Sequence, residues 1–147
     1  YILAASRRLN IKSNESGMKY FLMGSFASGI ILFGICLIYG AIGSFDMRVI
    51  MEAAVSADVE EWFYIGGILL AIGLLFKIAA VPFHFWAPDV YEGAPALTTA
   101  TMSTLAKVTA MATFFKLFFA MSGNLPETSQ TVLIVLSGLS MTVGNIM

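Results

Sequence analysis

Lys77, Pro82 and His84 stand close together in FKIAAVPFHFWAPDVYEGAP, residues 76–95, at the end of a long apolar run, and Lys107 follows in the next run. An amine and an imidazole each change charge by taking or releasing one proton, the imidazole near neutral pH. Held in apolar surroundings, such groups point to proton transfer. Lys107 lies 12 residues after Pro95 and 16 before Gly123, about 18 Å and about 24 Å along a helix. A lysine stem does not easily reach water over that span, and a lysine at a helix centre costs about 2.5–3.5 kcal/mol on insertion scales. Snorkelling to the interface is therefore the weaker reading of Lys107.

Lys77 lies 15 residues after Trp62, about 22 Å along a helix, and in a straight helix it would snorkel to the near side. Pro82 argues against a straight helix, because proline removes a donor and clashes with the carbonyl four residues earlier, here Ile78. A break just after Lys77 frees carbonyls near an ammonium, which a membrane tolerates only beside protein or a water-filled cavity. Functional and structural roles for Lys77 both stay open on these grounds. His84 has two readings as well, a proton relay or a boundary histidine bonded to backbone. Ser103 and Thr104, one turn before Lys107, either hold water near the amine or bond back to helix carbonyls. Asp89 and Glu92, in the turn DVYEG, are expected to be solvated or paired with another subunit. One histidine and two loop carboxylates make a poor metal site, so no metal is expected.

These residues need elements to position them, and the composition says which. The chain has 147 residues, 59% hydrophobic and 12% charged, with a mean hydropathy of +0.86; a soluble domain carries about 25% charged residues. The apolar residues fall in long runs, the first being YFLMGSFASGIILFGICLIYGAI, Tyr20 to Ile42. Three more follow, and each is near or above the 17–25 residues of a spanning helix. The expected fold is all-α and membrane-integral, with about four spanning helices near 16–42, 60–84, 95–121 and 129–147, one of them broken near Pro82. Residues 1–9 read as the end of an earlier helix, and we expect an internal piece of one transmembrane domain from a longer chain.

Arg7, Arg8, Lys12 and Lys19 collect in the first loop, whereas 43–61 is mostly acidic, so the first loop is expected inside and the second outside. Asn14 is the expected N-cap of the first long helix. Small residues four apart, such as Ser25 and Gly29, are expected to let helices approach closely. Trp62, Trp86 and Tyr91 fall where interfacial aromatic belts lie, and Lys116, near an outer helix end, is expected to snorkel. Cys36 stands alone, which excludes an internal disulfide and an iron–sulfur site on this chain, and it is expected to pack as a small hydrophobe. A net charge of −1 without a basic patch excludes a nucleic-acid partner. No group here drives proton movement, so the energy must come from elsewhere.

The stretch FKIAAVPFHFWAPDVYEGAP closely resembles the signature of the antiporter-like N subunits of bacterial proton-pumping NADH:quinone oxidoreductase, respiratory complex I. The resemblance extends through TMSTLAKVTAMATFFKLF and back through ESGMKYFLMGSFASGIILFGICLIYG, weakest in the acidic loop. It implies an antiporter-like fold of inverted five-helix repeats, each with a broken helix, in the bacterial inner membrane. By the family pattern, Lys77 is the titratable residue before the break and Lys107 passes the proton on. A glutamate pairing with Lys77 is implied upstream of Tyr1. Other membrane subunits of the complex and the lipid bilayer are the implied partners. NADH, FMN, iron–sulfur clusters and quinone are implied on other subunits, and no cofactor on this chain. The family's second proline after GAP is missing, since Ala96 and Leu97 follow Pro95, which bears on the start of the next helix.

Two alternatives stand beside this. A subunit of a Mrp-type cation/proton antiporter or membrane-bound hydrogenase shares the fold, but usually has a histidine-bearing ALLH-type stretch where this chain has ATMSTLAK. A structural membrane scaffold would use the lysines only to bind subunits or lipid.

Overall fold

The computed structural model describes residues 1–7, 9–55, 60–121 and 127–146. Among them the regular structure is helical: α1 Ile11–Ile42, α2 Met47–Val55, α3 Glu61–Ile78, α4 Ala87–Gly93, α5 Ala96–Thr101, a π-helical segment Met102–Ala106, α6 Lys107–Met121 and α7 Glu127–Ile146. α1 and α3 are each long and apolar enough to cross a membrane. The third expected span is subdivided by the π segment, and the apolar part of α7 is shorter, Gln130–Ile146.

α1 starts earlier than Asn14. Its N-cap is Asn10, whose side-chain oxygen accepts from the Lys12 amide at 3.0 Å, satisfying one of the orphan donors of the first turn. It ends where Gly43 takes the left-handed conformation, φ 73°, and returns its N–H to Tyr39 O, a common helix stop. Residues 1–6 form successive turns, with bonds from Ala4 to Tyr1, Ala5 to Ile2 and Ser6 to Leu3.

α1 and α3 are packed backbone to backbone, and the close approach is at Gly34 and Gly66. A Cβ on either would lie 2.8 Å from the other's carbonyl oxygen, closer than carbon and oxygen tolerate. The expected pair does not serve this purpose: Ser25 and Gly29 are exposed, and a Cβ on Gly29 would meet nothing within 4 Å. A helix that is apolar all round carries no periodic sign of which small residues face a neighbour.

Two cores sit at opposite ends of this pair. One gathers Ile38, Ile50, Ala54, Phe63 and Leu70, with Leu117 of α6 against it, so the short α2 seals the end where α1 turns over. The other gathers Ala27, Phe76, Trp86, Ala87 and Val90 around the point where α3 stops. Outward faces carry exposed Phe26, Leu32, Ile68, Phe115 and Ile134. Cys36 lies on such an exposed face and not in a core.

Gly66→Ala is expected to push α1 and α3 apart at a cost of about 1–3 kcal/mol, whereas Gly29→Ala is expected to be near neutral. Thermal unfolding of the detergent-solubilised full-length chain would separate the two. Equal melting temperatures would contradict the close approach at Gly34.

Candidate functional site

Pro82 breaks its helix where the clash argument places the break, since α3 ends at Ile78, six residues short of the expected boundary at 84. Ala79 adopts the left-handed conformation, φ 62° and ψ 41°, a position that usually belongs to glycine. The Ala79 amide bonds Phe76 O and the Ala80 amide bonds Leu75 O, both at 3.0 Å, the two bonds of a Schellman stop. Carbonyls freed near Lys77 are thus largely taken up locally. The Phe76 carbonyl also accepts from Trp86 Nε1 at 3.1 Å, and the Val81 amide donates to Ser140 Oγ of α7 at 3.0 Å. Ser140 had no sign in the sequence that set it apart from other helix serines.

Trp86 is not an interfacial belt residue. It is 5% exposed and stacks between Tyr20 of α1, 5.5 Å away, and Phe76 of α3, 5.6 Å away. The indole fills the gap left by the missing turns of α3, and its N–H has a partner, as a buried indole requires. Trp62, by contrast, is 57% exposed.

α4 is pinned to the start of α1. Ser16 Oγ donates to Val90 O at 2.9 Å, and Val90 is fully buried. Lys12 pairs with Glu92 at 2.6 Å, and Lys19 pairs with Asp89 at 2.6 Å and with Glu15 at 2.7 Å. Asp89 and Glu92 are solvated, as expected, and in addition each pairs with a lysine of α1 within the chain. Both amines lie before the apolar run of α1, and both are held above the ordinary lysine value, Lys12 by its hydrogen bond to Glu92 and Lys19 by those to Asp89 and Glu15. These pairs are exposed, so they orient α4 more than they stabilise it.

Lys77 ends α3 and lines a cavity of about 640 Å³ between α1, α3 and the α5–α6 run, but among the described residues it is exposed and not buried as expected, because α3 stops beside it and the cavity is open. Tyr20, Trp86, Thr101, Leu105, Thr109 and Thr113 share its wall, and a space of this size with an amine and hydroxyls on its wall has room for several waters. The hydroxyls donate to their own helix, Thr101 to Leu97 O and Thr109 to Leu105 O, leaving their oxygens free to accept. Ser103 and Thr104, in the π-helical segment that ends at Ala106 just before Lys107, likewise bond back, both to Ala100 O. Such segments often mark functional positions; the sequence showed the hydroxyls but not the change in helical pitch.

Lys107 is half-buried and does not line that cavity. Its Nζ lies 5.3 Å from the centre of the Tyr91 ring, and Trp86 stands edge-on to Tyr91 at 6.0 Å. Among the described residues no ion pair holds Lys77 or Lys107. His84 is only partly buried, in the turn after Pro82. Its Nδ1 is buried without a hydrogen-bond partner among the described residues, and the residue lies outside the cavity wall. Among the described residues neither a hydrogen bond nor a shared cavity wall links His84 to Lys77. Lys116 is exposed. No cluster of metal-ligand type occurs among the described residues. Pro95 caps α5, which begins at Ala96, so the missing second proline leaves that start in place.

The chain matches the family described as NADH:quinone oxidoreductase/Mrp antiporter, TM, over residues 1–147. It is 66% identical to the NADH-quinone oxidoreductase subunit N of Flavobacterium johnsoniae, over 100% of this chain and 33% of that protein. The chain thus spans about a third of the length of the curated relatives it matches. Among solved structures it resembles the respiratory complex I of Thermus thermophilus with a TM-score of 0.67 and 35% identity, covering 92% of this chain and 28% of that one. It also resembles an archaeal membrane-bound sulfane sulfur reductase, a respiratory membrane complex, with a TM-score of 0.74 and 30% identity over 95% of this chain and 28% of the other.

Ser140→Ala is expected to free the Val81 amide and raise its hydrogen exchange by about fivefold, the value of roughly one hydrogen bond. Exchange mass spectrometry over Ala79–Trp86 would read this. Unchanged protection would show that α7 does not hold the break.

Proposed function

The chain belongs to the transmembrane family of NADH:quinone oxidoreductase and Mrp antiporter subunits, and on that premise we propose that it is part of a proton-translocating membrane subunit of NADH:quinone oxidoreductase. The observation that carries this reading is the break at Ile78–Ala79, which sets Lys77 at a helix end on a cavity with hydroxyls across it. Lys77 takes and releases a proton there, and Lys107, on the following helix, passes it on. Trp86 stands between the cavity and the Tyr91 ring over which Lys107 lies, so transfer between the amines goes around or past this indole. On this reading quinone reduction on other subunits supplies the energy, and NADH, FMN, iron–sulfur clusters and quinone belong to those subunits. The neighbours are other membrane subunits and lipid, which fits the exposed Phe26, Leu32 and Ile134, and the location is the bacterial inner membrane. His84 takes no step in this scheme.

The resemblance to a sulfane sulfur reductase complex means that the fold alone does not select the partner complex. The 66% identity to a subunit N favours NADH:quinone oxidoreductase over a Mrp-type antiporter or hydrogenase.

Replacing Lys77 or Lys107 with alanine in the assembled complex is expected to lower the rate of NADH-driven proton uptake by at least about tenfold, since a positioned proton carrier is removed. Proton uptake into inverted membrane vesicles would measure it. Unimpaired pumping in Lys107→Ala would refute the assignment, and unimpaired pumping in both would favour a scaffold.

A further inference from the structure

Tyr91 takes no part in the scheme above, yet it is the group that the Lys107 amine faces. Nζ of Lys107 lies 5.3 Å from the centre of its ring, within the range of a cation–π contact. The phenol oxygen is buried and has no hydrogen-bond partner among the described residues. Among the described residues no hydroxyl contact holds Tyr91 in place, and what it offers Lys107 is the ring face. Trp86 holds that ring edge-on from 6.0 Å and is itself fastened to the broken end of α3 by its bond to Phe76 O. The break thus fixes the position of Tyr91 as well as that of Lys77.

An aromatic face carries partial negative charge, so it attracts an ammonium and gives a neutral amine little. The charged groups on the surrounding elements do not replace it. On α4, Asp89 and Glu92 are committed to Lys19 and Lys12 of α1. Lys77 of α3, of like charge, and the phenols of Tyr20 and Tyr1 line the cavity that Trp86 separates from Tyr91, and the imidazole of His84 lies in the turn before α4. α2 meets α6 at Leu117, ten residues beyond Lys107 and about 15 Å along the helix.

We infer that Tyr91 is a positioning residue for Lys107, its ring face stabilising the protonated amine and setting the pH at which that amine gives up its proton. This rests on the proposed role of Lys107. The test is an isosteric series at position 91 of the full-length chain in the assembled complex: Tyr91→Phe, then its mono- and trifluorinated analogues, which drain the ring face without changing its shape. Weakening the face lowers the amine's hold on its proton. The alkaline limb of NADH-driven proton translocation should then move stepwise to lower pH, by about half to one pH unit across the series. Tyr91→Phe, which keeps the face, should stay close to the parent. A flat series, or a shift to higher pH, overturns the inference. Lys107→Ala run alongside separates the two ideas: if it still pumps, the role of Lys107 falls; if it does not pump and the series is flat, only the role of Tyr91 falls.

Discussion

Interrupting an apolar helix exposes backbone groups that the surrounding hydrocarbon cannot satisfy, and the rest of this structure depends on how that is managed. A spanning helix normally meets every backbone bond within itself. α3 gives this up at Ile78, and its loose ends are caught by four partners: two amides of its own stop, the indole N–H of Trp86 and the hydroxyl of Ser140. Each partner comes from an element that must then stay in place. The stacking of Trp86 on Tyr20 ties the break to α1, and Ser16 and the lysine–carboxylate pairs carry α4 along with it. Lys77 sits at the centre of an arrangement that exists because the helix stops.

This explains why a cavity persists beside a charged group. A continuous α3 would run its side chains through the space that Trp86 and the turn after Pro82 now bound. Gly34 and Gly66 bring α1 and α3 together above it, so the cavity opens towards the α5–α6 run and not between the first pair. The hydroxyls on that run are satisfied by their own helix, yet each can still accept a bond from water. Among the described residues no carboxylate pairs with Lys77, and the cavity it lines has room for water.

Much of this architecture could be read from residue types. The length of the apolar runs marked the helices, and the clash of Pro82 with Ile78 located the break close to its observed position. Depth along the chain singled out Lys107. What could not be read was rotation about helix axes. In α1 nearly every position is apolar, so nothing distinguished Gly34, which faces α3, from Gly29, which faces away. For the same reason Trp86 looked like an interfacial residue although it is a core residue, and nothing marked the solvated Asp89 and Glu92 as partners of lysines on α1. The π-helical pitch before Lys107 and its contact with Tyr91 depend on tertiary packing that no local pattern encodes.

The central claim is that breaking α3 places a chargeable amine against water inside the membrane. High-resolution density for the assembled complex, containing the full-length chain, tests this directly. Ordered waters bonded to Lys77 Nζ within the cavity, and continuing towards Lys107 past the edge of Trp86, are the predicted result. A dry cavity filled by side chains or lipid, with no water at either amine, would contradict it.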